Sequence, residues 1–239
     1  MLLELFKFLA KEIHGFNVFN YITLRAVMST ITSLIISFAF GPWLIKQLNQ
    51  FNIGQAVRSD GPKDHLIKTG TPTMGGGLIL VSIIVSTLLW ADIKNNYIWV
   101  LLIVTLGFGL IGFIDDLKKV IYKDPNGISA GQKYLWQSII GLGASIYLWS
   151  NAVTPEQTSL ILPFVKDVSF SMSGLIFIIF SYIVIVGSSN AVNLTDGLDG
   201  LAIMPAVLVA SALGVFAYVA GNYVIAKYLG IPYISGAGE

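Results

Sequence analysis

Two carboxylates stand side by side in the stretch GFIDDLKKV, residues 112–120. Asp115 and Asp116 follow an apolar run, and Lys118 and Lys119 come shortly after them. Adjacent carboxylates repel each other, and at a membrane boundary they also lose hydration. A divalent cation relieves both costs, since Mg²⁺ takes one or two carboxylates together with substrate phosphates. The pair therefore predicts metal-assisted phosphate chemistry. Helix-end charges paired with the lysines are the open alternative.

A second acidic cluster lies in the stretch NAVNLTDGLDG, residues 190–200. Asn193, Asp196 and Asp199 recur every third residue, so a helical segment would place them on one face. Amide and carboxylate oxygens supply hydrogen-bonding groups that a nucleotide or a sugar needs, and a carboxylate also binds metal. The alternative is structural, because Asp196 or Asp199 would also serve to cap the helix that follows.

A third polar stretch has the sequence VRSDGPKDHLIKTGTPTMGGG, residues 57–77. It combines basic residues with glycines that precede an apolar run. Glycines near a helix N-terminus leave backbone N–H groups free to meet an anion, and the helix dipole favours that charge. The order of residues differs from that of a Walker loop. The stretch indicates phosphate binding, with an ordinary flexible loop as the alternative.

These stretches are embedded in a strongly apolar chain. Of its 239 residues, 55% are hydrophobic and 11% are charged, against about 25% charged in a soluble domain. A membrane span needs about 20 mostly apolar residues. The charge-free runs predict an all-α, polytopic helical membrane protein with one membrane-embedded domain over residues 1–239. The net charge of +1 gives no attraction to nucleic acid, and the lack of cysteine excludes disulfides and thiolate metal sites. The six predicted spans are residues 22–45, 72–90, 97–115, 132–149, 172–190 and 200–220.

Basic residues are distributed unevenly between the two sides of these spans. Segments 46–70 and 118–133 carry eight lysines and arginines, whereas segments 91–96 and 150–171 carry two. Positive charge marks the cytoplasmic side, so the first two segments and 190–199 are predicted to face the cytoplasm, with the N-terminus outside. From the residues alone, the chain is a membrane enzyme that handles a phosphorylated or nucleotide substrate. A transporter with coupling carboxylates is the alternative.

Five longer motifs contain or extend these clusters. They are RSDGPKDHLIKTGTPTMGG, GFIDDLKK and SNAVNLTDGLDGLAIMP, with GFNVFNYITLRA and YLGIPYISGAGE towards the two ends. Together, from about Gly15 to Glu239, they resemble the bacterial phospho-N-acetylmuramoyl-pentapeptide-transferase family, translocase I of peptidoglycan synthesis. The GTPTMGG part resembles this branch of a wider superfamily that also includes transferases of GlcNAc-1-phosphate.

The resemblance implies a phosphoglycosyl transferase of the bacterial cytoplasmic (inner) membrane, with active-site loops that face the cytoplasm. It would transfer phospho-MurNAc-pentapeptide from UDP-MurNAc-pentapeptide to undecaprenyl phosphate, giving lipid I and UMP, with Mg²⁺ as cofactor. This reaction is the first membrane step of peptidoglycan synthesis and belongs to cell wall biogenesis. The resemblance also implies a homodimer within the lipid bilayer.

The resemblance implies roles for individual residues as well. Asp115 and Asp116 match paired aspartates, one of which is proposed to activate the lipid phosphate, and both are candidate metal ligands. The other implied catalytic residues are Lys68, Lys119 and Lys133. The implied substrate-binding residues are Thr73 in the first loop and Asn193, Asp196 and Asp199 on the nucleoside side.

The family pattern has more elements than this sequence contains. About ten spans are expected, so the six here correspond to its N-terminal two-thirds. Two later motifs do not occur in the 239 residues: a Gly-Asp loop whose aspartate is a metal ligand, and a histidine-rich loop. The sequence therefore predicts a truncated chain with little activity by itself. The alternatives are a polyprenyl-phosphate GlcNAc-1-phosphate transferase and a non-catalytic membrane protein that binds the lipid carrier.

Overall fold

Helices make up most of the regular structure in this chain. The structure, a computed structural model, describes residues 1–50, 74–122, 127–161, 169–195 and 201–239. The α-helices in these ranges are α1 (Leu2–Leu9), α2 (Ile22–Gln50), α3 (Gly76–Trp90), α4 (Asn96–Tyr122), α5 (Ala130–Ser150), α6 (Gly174–Thr195), α7 (Ile203–Ala220) and α8 (Tyr223–Leu229). Short 3₁₀ helices cover His14–Asn20 and Pro155–Thr158, and strands β1 and β2 cover Ser159–Ile161 and Ser169–Ser171.

Each of the six predicted spans corresponds to one helix, from α2 to α7. Within the described ranges, α2, α4, α6 and α7 are long and apolar enough to cross a membrane. The apolar helix α3 is shorter, at 15 residues, and the 21-residue helix α5 carries Lys133 and Gln137. The prediction of an all-α polytopic membrane protein is confirmed, with four helices that meet both criteria.

Three of these helices extend further than the predicted spans, since α2 ends at Gln50 instead of residue 45. Helix α4 ends at Tyr122 instead of residue 115, and α6 ends at Thr195 instead of residue 190. Hydropathy marks the part of a helix that fits a bilayer, whereas backbone hydrogen bonding continues past it. In α4 the extra turns carry an ion pair between Asp115 and Lys119, four residues apart, a spacing that stabilises helices. The charged residues there lie on a helix and not in a loop.

Segment 150–171 differs from the predicted loop, because the strands of the described chain lie there. Strands β1 and β2 are antiparallel, with Leu160 opposite Phe170 and Ser159 opposite Ser171. Three residues in each strand form a small ribbon that leaves the helical fold class unchanged.

Close contacts divide the described chain into two compact units, Met1–Trp136 and Gln137–Glu239. The first contains α1 to α4 and the beginning of α5. The second contains the rest of α5, the ribbon and α6 to α8. A single domain over the whole chain stays a prediction.

Small side chains bring the helices of the first unit together. Helix α3 packs against both α2 and α4. Ser82 of α3 is buried, and the Ser37 hydroxyl of α2 donates to Ser82 Oγ at 3.2 Å. Gly109 of α4 makes room for Leu80 of α3, since a Cβ at 109 would lie 2.5 Å from Leu80 Cδ1. Such residues allow close packing where lipid tails offer no hydrophobic drive.

The N-terminal segment covers one end of this unit. Phe6 of α1 stacks on Phe19 with ring centroids 4.0 Å apart, and the amino group of Met1 donates to the Leu88 carbonyl at 3.0 Å. Lys94 forms an ion pair with Glu4 at 2.9 Å. The N-terminus therefore lies at the same end as segment 91–96, as the predicted topology requires.

The indole of Trp90 joins α3 to α2 and offers a test of this packing. Trp90 is buried, and its Nε1 donates to Thr32 Oγ1 at 2.9 Å. Thr32→Val keeps the shape of the side chain but leaves that N–H without its acceptor. We expect the free energy of unfolding to fall by about 1–2 kcal/mol, measured by reversible unfolding in mixed detergent micelles.

Thr30→Val is the matched control, because the Thr30 hydroxyl donates to the Ala26 carbonyl of its own helix. Its effect should stay within about 0.5 kcal/mol. Equal destabilisation by the two substitutions would contradict the role given to the indole contact.

Candidate active site

The paired aspartates lie near the C-terminal end of α4, beyond most of its apolar residues. Asp115 and Asp116 are followed on the same helix by Lys119. After residues 123–126, which are outside the described ranges, the chain returns at Gly127 and continues into α5. The end of one apolar helix and the start of the next thus bring charged groups together.

Asp115 is held by two donors. Lys119 Nζ lies 2.7 Å from Asp115 Oδ2, and the backbone N–H of Ile128 donates to Asp115 Oδ1 at 2.8 Å. Each carboxylate oxygen therefore has a protein partner. The side chain is 14% exposed, and hydrogen bonds to charged groups are among the stronger ones in proteins. These contacts fix the orientation of the Asp115 carboxylate.

Gly127 allows the turn to approach this carboxylate closely. Its φ of +64° lies in the left-handed region, which favours glycine. A Cβ at this position would collide with Asp115 Oδ1 and lie 2.8 Å from Lys119 Cε. Sequence reasoning missed this residue, although DPNG at 124–127 is a turn signal.

Asp116 has a different environment, although it is the neighbouring residue. Its side chain is 38% exposed, and Lys119 Nζ is 3.8 Å from Asp116 Oδ1. Among the described residues, this longer contact is the one ion pair of Asp116. Successive helical residues point about 100° apart, so the Ile128 amide that holds Asp115 does not hold its neighbour. Within the described ranges, Asp116 is therefore the more exposed and the less firmly held of the two carboxylates.

Two lysines balance the two carboxylates. Lys119 contacts both of them, at 2.7 Å and 3.8 Å. Lys133 lies in the first turns of α5, near enough for its charge to stabilise both aspartates. A phosphate that approached Asp116 would therefore meet positive charge beside it. The structure brings together these four predicted site residues.

The other predicted site residues are not part of this cluster as described. Lys68, Thr73, Asp196 and Asp199 lie outside the described residues, so their positions stay predictions.

Asn193 lies in the second unit, where it is exposed in the last turn of α6. The prediction that 190–199 is an interhelical segment is wrong for residues 190–195, because α6 continues through them to Thr195. The suggested capping by Asp196 or Asp199 is also not found, since α7 has Ala202 as its N-cap.

The predicted metal ligands can be compared with this geometry. In the described part of the chain, no group of three or more His, Cys, Asp or Glu side chains is placed to hold a metal ion. Both oxygens of Asp115 already have protein donors, whereas the contact found for Asp116 in the described ranges is its 3.8 Å ion pair with Lys119. These carboxylates fit Mg²⁺, which usually takes one or two protein carboxylates and completes its coordination shell with substrate phosphate and water.

Two amide side chains of the second unit also escaped sequence reasoning. Asn190 Nδ2 of α6 donates to Gln137 Oε1 of α5 at 2.9 Å. It also donates to the Val186 carbonyl at 2.9 Å. The available signal was an amide side chain within each of two mostly apolar helices, since polar groups there are costly unless they serve a purpose.

Comparison with known families identifies the family of this chain. Residues 98–236 match the model of a family described as glycosyl transferase family 4. The matched region covers more than half of the chain. It includes the Asp115–Lys119 cluster, Lys133 and the stretch NAVNLTDGLDG.

The Gly127 turn predicts a large difference between two glycine substitutions. Gly127→Ala should lower the free energy of unfolding by about 1–3 kcal/mol, because a Cβ is strained at this φ and collides with Asp115. Gly131→Ala is the matched control in the first turn of α5, where a Cβ meets nothing within 4 Å. Alanine there should be neutral or stabilising by up to about 1 kcal/mol. Reversible unfolding in detergent would measure both, and a harmless Gly127→Ala would contradict the tight turn.

The two aspartates should also differ in their effect on stability. Asp115→Asn removes the charge that two donors hold, so we expect unfolding to become easier by about 1–3 kcal/mol. Asp116→Asn removes only a long, partly exposed ion pair and should change stability by less than about 0.5 kcal/mol. The same unfolding measurement compares them. A larger loss for Asp116→Asn would reverse the assignment of the two carboxylates.

Proposed function

Because the chain belongs to glycosyl transferase family 4, we propose that it transfers phospho-MurNAc-pentapeptide from UDP-MurNAc-pentapeptide to undecaprenyl phosphate. The products are lipid I and UMP. The family consists of phosphoglycosyl transferases that use a polyprenyl phosphate in a membrane. The identity of the sugar, the peptide and the bacterial lipid carrier is the proposed part.

The arrangement of Asp115, Asp116 and Lys119 is the observation that carries this proposal. Asp115 is fixed by protein donors, Asp116 is more exposed, and Lys119 contacts both near the end of an apolar helix. The charge of Lys133, in the first turns of α5, also acts on both carboxylates. A polyprenyl phosphate has its chain in the bilayer and its charged head at the boundary. The cluster offers that head group positive charge and an open carboxylate at the same level.

The reaction then follows the logic of phosphoryl transfer. An oxygen of the lipid phosphate attacks the phosphorus that bears the sugar, a new P–O bond forms, and the bond to the UMP phosphate breaks. Such reactions depend on positioning and on stabilisation of charge. Lys119 and Lys133 would stabilise negative charge on the phosphates, and Asp115 would hold Lys119 in place. Asp116 would contact the reacting groups.

Mg²⁺ is the proposed cofactor, and Asp116 is its proposed ligand in this part of the chain. Asp115 is the second candidate, although its oxygens are engaged with Lys119 and Ile128. When bound, the ion would neutralise charge on the diphosphate. The lysines keep their role in binding the lipid phosphate.

Further features of the sequence support the choice of substrate and location. The GTPTMGG stretch, residues 70–76, resembles the muramoyl-pentapeptide branch. The excess of basic residues in segments 46–70 and 118–133 supports an orientation with these segments in the cytoplasm. We also propose the bacterial inner membrane as location and a homodimer as assembly, both from the same resemblance.

Release of UMP tests the proposal directly. Because the 239 residues are predicted to have little activity by themselves, the assay uses the protein as it occurs in its native membrane. It is supplied with undecaprenyl phosphate, Mg²⁺ and either UDP-MurNAc-pentapeptide or UDP-GlcNAc. We expect UMP release that requires the lipid and is at least about tenfold faster with the muramoyl substrate. Preference for UDP-GlcNAc would indicate the GlcNAc-1-phosphate transferase instead. Lipid binding without any UMP release would indicate the non-catalytic carrier protein.

Removal of metal and of one carboxylate gives a further prediction for the same assay. EDTA should abolish UMP release and excess Mg²⁺ should restore it. Asp116→Asn should lower kcat by about a thousandfold, with unfolding unchanged. Asp92→Asn is the control, because Asp92 pairs with Lys7 at the other end of the first unit, and its activity should stay within about twofold. Full activity of Asp116→Asn would refute the role of this carboxylate.

A further inference from the structure

A buried amide pair connects α5 and α6 in the second unit. Gln137 is 3% exposed, and its Oε1 accepts the hydrogen bond from Asn190 Nδ2 at 2.9 Å. Asn190 also donates to the Val186 carbonyl, one turn earlier in α6. An amide inside an apolar helix pair is costly unless its hydrogen bonds are made. The reaction proposed above assigns no role to Gln137 or Asn190.

The amide pair lies near the end of the contact between these helices. Further along α5, the Ser138 hydroxyl meets the Tyr182 hydroxyl at 2.9 Å. Gly141 packs under Val186, since a Cβ at 141 would lie 3.0 Å from Val186 Cγ2. Beyond Asn190, the residues from 191 to 195 are all exposed.

The Gln137–Asn190 hydrogen bond matters because Asn190 lies close to Asn193, a predicted substrate-binding residue. Asn193 lies three residues after Asn190, in the last turn of α6. Helix ends fray, and their local stability is low when they have few contacts. The Gln137–Asn190 bond restrains α6 one turn before Asn193, so it limits the fraying of the turn that carries this side chain.

We propose that Gln137 and Asn190 are positioning residues that hold the last turn of α6, and thereby Asn193, in place for the nucleotide part of the substrate. The inference rests on the proposed function, in which a UDP-sugar binds. Neither residue touches the substrate. A side chain that is already in place loses less entropy on binding, so loss of the bond should weaken nucleotide binding more than turnover.

A spin label tests the structural part without any need for activity. The chain contains no cysteine, so Leu194→Cys, at an 84% exposed position, gives one label site beside Asn193. Gln137→Met keeps length and apolar packing but removes the amide. It should increase the mobility of the nitroxide at 194. Ser145→Ala is the matched control, because buried Ser145 donates to the Gly141 carbonyl of its own helix, and it should leave the spectrum unchanged.

Kinetics of UMP release tests the functional part. Gln137→Met and Asn190→Leu should each raise KM for the UDP-sugar about three- to tenfold, the scale of one hydrogen bond between membrane helices, with kcat within about twofold. The double substitution should add little to either single one. The exchanged pair, Gln137→Asn with Asn190→Gln, restores an amide on each helix and should recover most of the KM. KM for the polyprenyl phosphate should not change.

The two measurements separate failure of the inference from failure of the proposed function. If the unsubstituted protein releases no UMP from a UDP-sugar, the proposed function fails, and the spin label still decides whether the bond restrains α6. An unchanged label mobility in both Gln137→Met and Asn190→Leu would overturn the inference. Increased label mobility with an unchanged KM for the UDP-sugar would also overturn it. The same holds if the exchanged pair restores neither the label mobility nor the KM.

Discussion

The hydrogen bonds of Asp115 are the interactions on which the candidate site depends. Lys119 and the Ile128 amide each hold one oxygen of this carboxylate, and Gly127 allows the turn to come close enough. These contacts connect the end of α4 to the start of α5. They also make the two adjacent aspartates different, since Asp115 is held by two donors and Asp116 is more exposed.

The apolar helix α4, a candidate membrane span, carries this cluster near its C-terminal end. Small residues let the helices pack closely, with Gly109 beside Leu80 in the first unit and Gly141 beside Val186 in the second. Polar side chains then appear where the helices approach their ends. In each unit, a hydrogen bond between neighbouring elements restrains the turn that carries a candidate site residue. The same physical rule, that a polar group in apolar surroundings needs a partner, explains both arrangements.

Much of the fold could be predicted from hydropathy alone, since long apolar runs have few alternatives to helices in a membrane. The predicted ends of α2, α4 and α6 were wrong because hydropathy does not report where backbone hydrogen bonding stops. Asp115 and Asp116 could be singled out from their types and spacing, whereas the site roles of Lys119 and Lys133 were implied by the family resemblance. The difference between Asp115 and Asp116 could not be predicted, because it arises from a turn at Gly127. The hydrogen bond between Gln137 and Asn190 could not be predicted either, since the two residues are 53 positions apart in the sequence.

Binding of Mn²⁺, a paramagnetic substitute for Mg²⁺, tests the division between the two carboxylates most directly. Electron paramagnetic resonance would count free and bound Mn²⁺ in the presence of UMP. If Asp116 is the open carboxylate, Asp116→Asn should weaken Mn²⁺ binding by at least about tenfold, whereas Asp115→Asn should change it by less than about threefold. Loss of binding in Asp115→Asn with normal binding in Asp116→Asn would contradict this assignment.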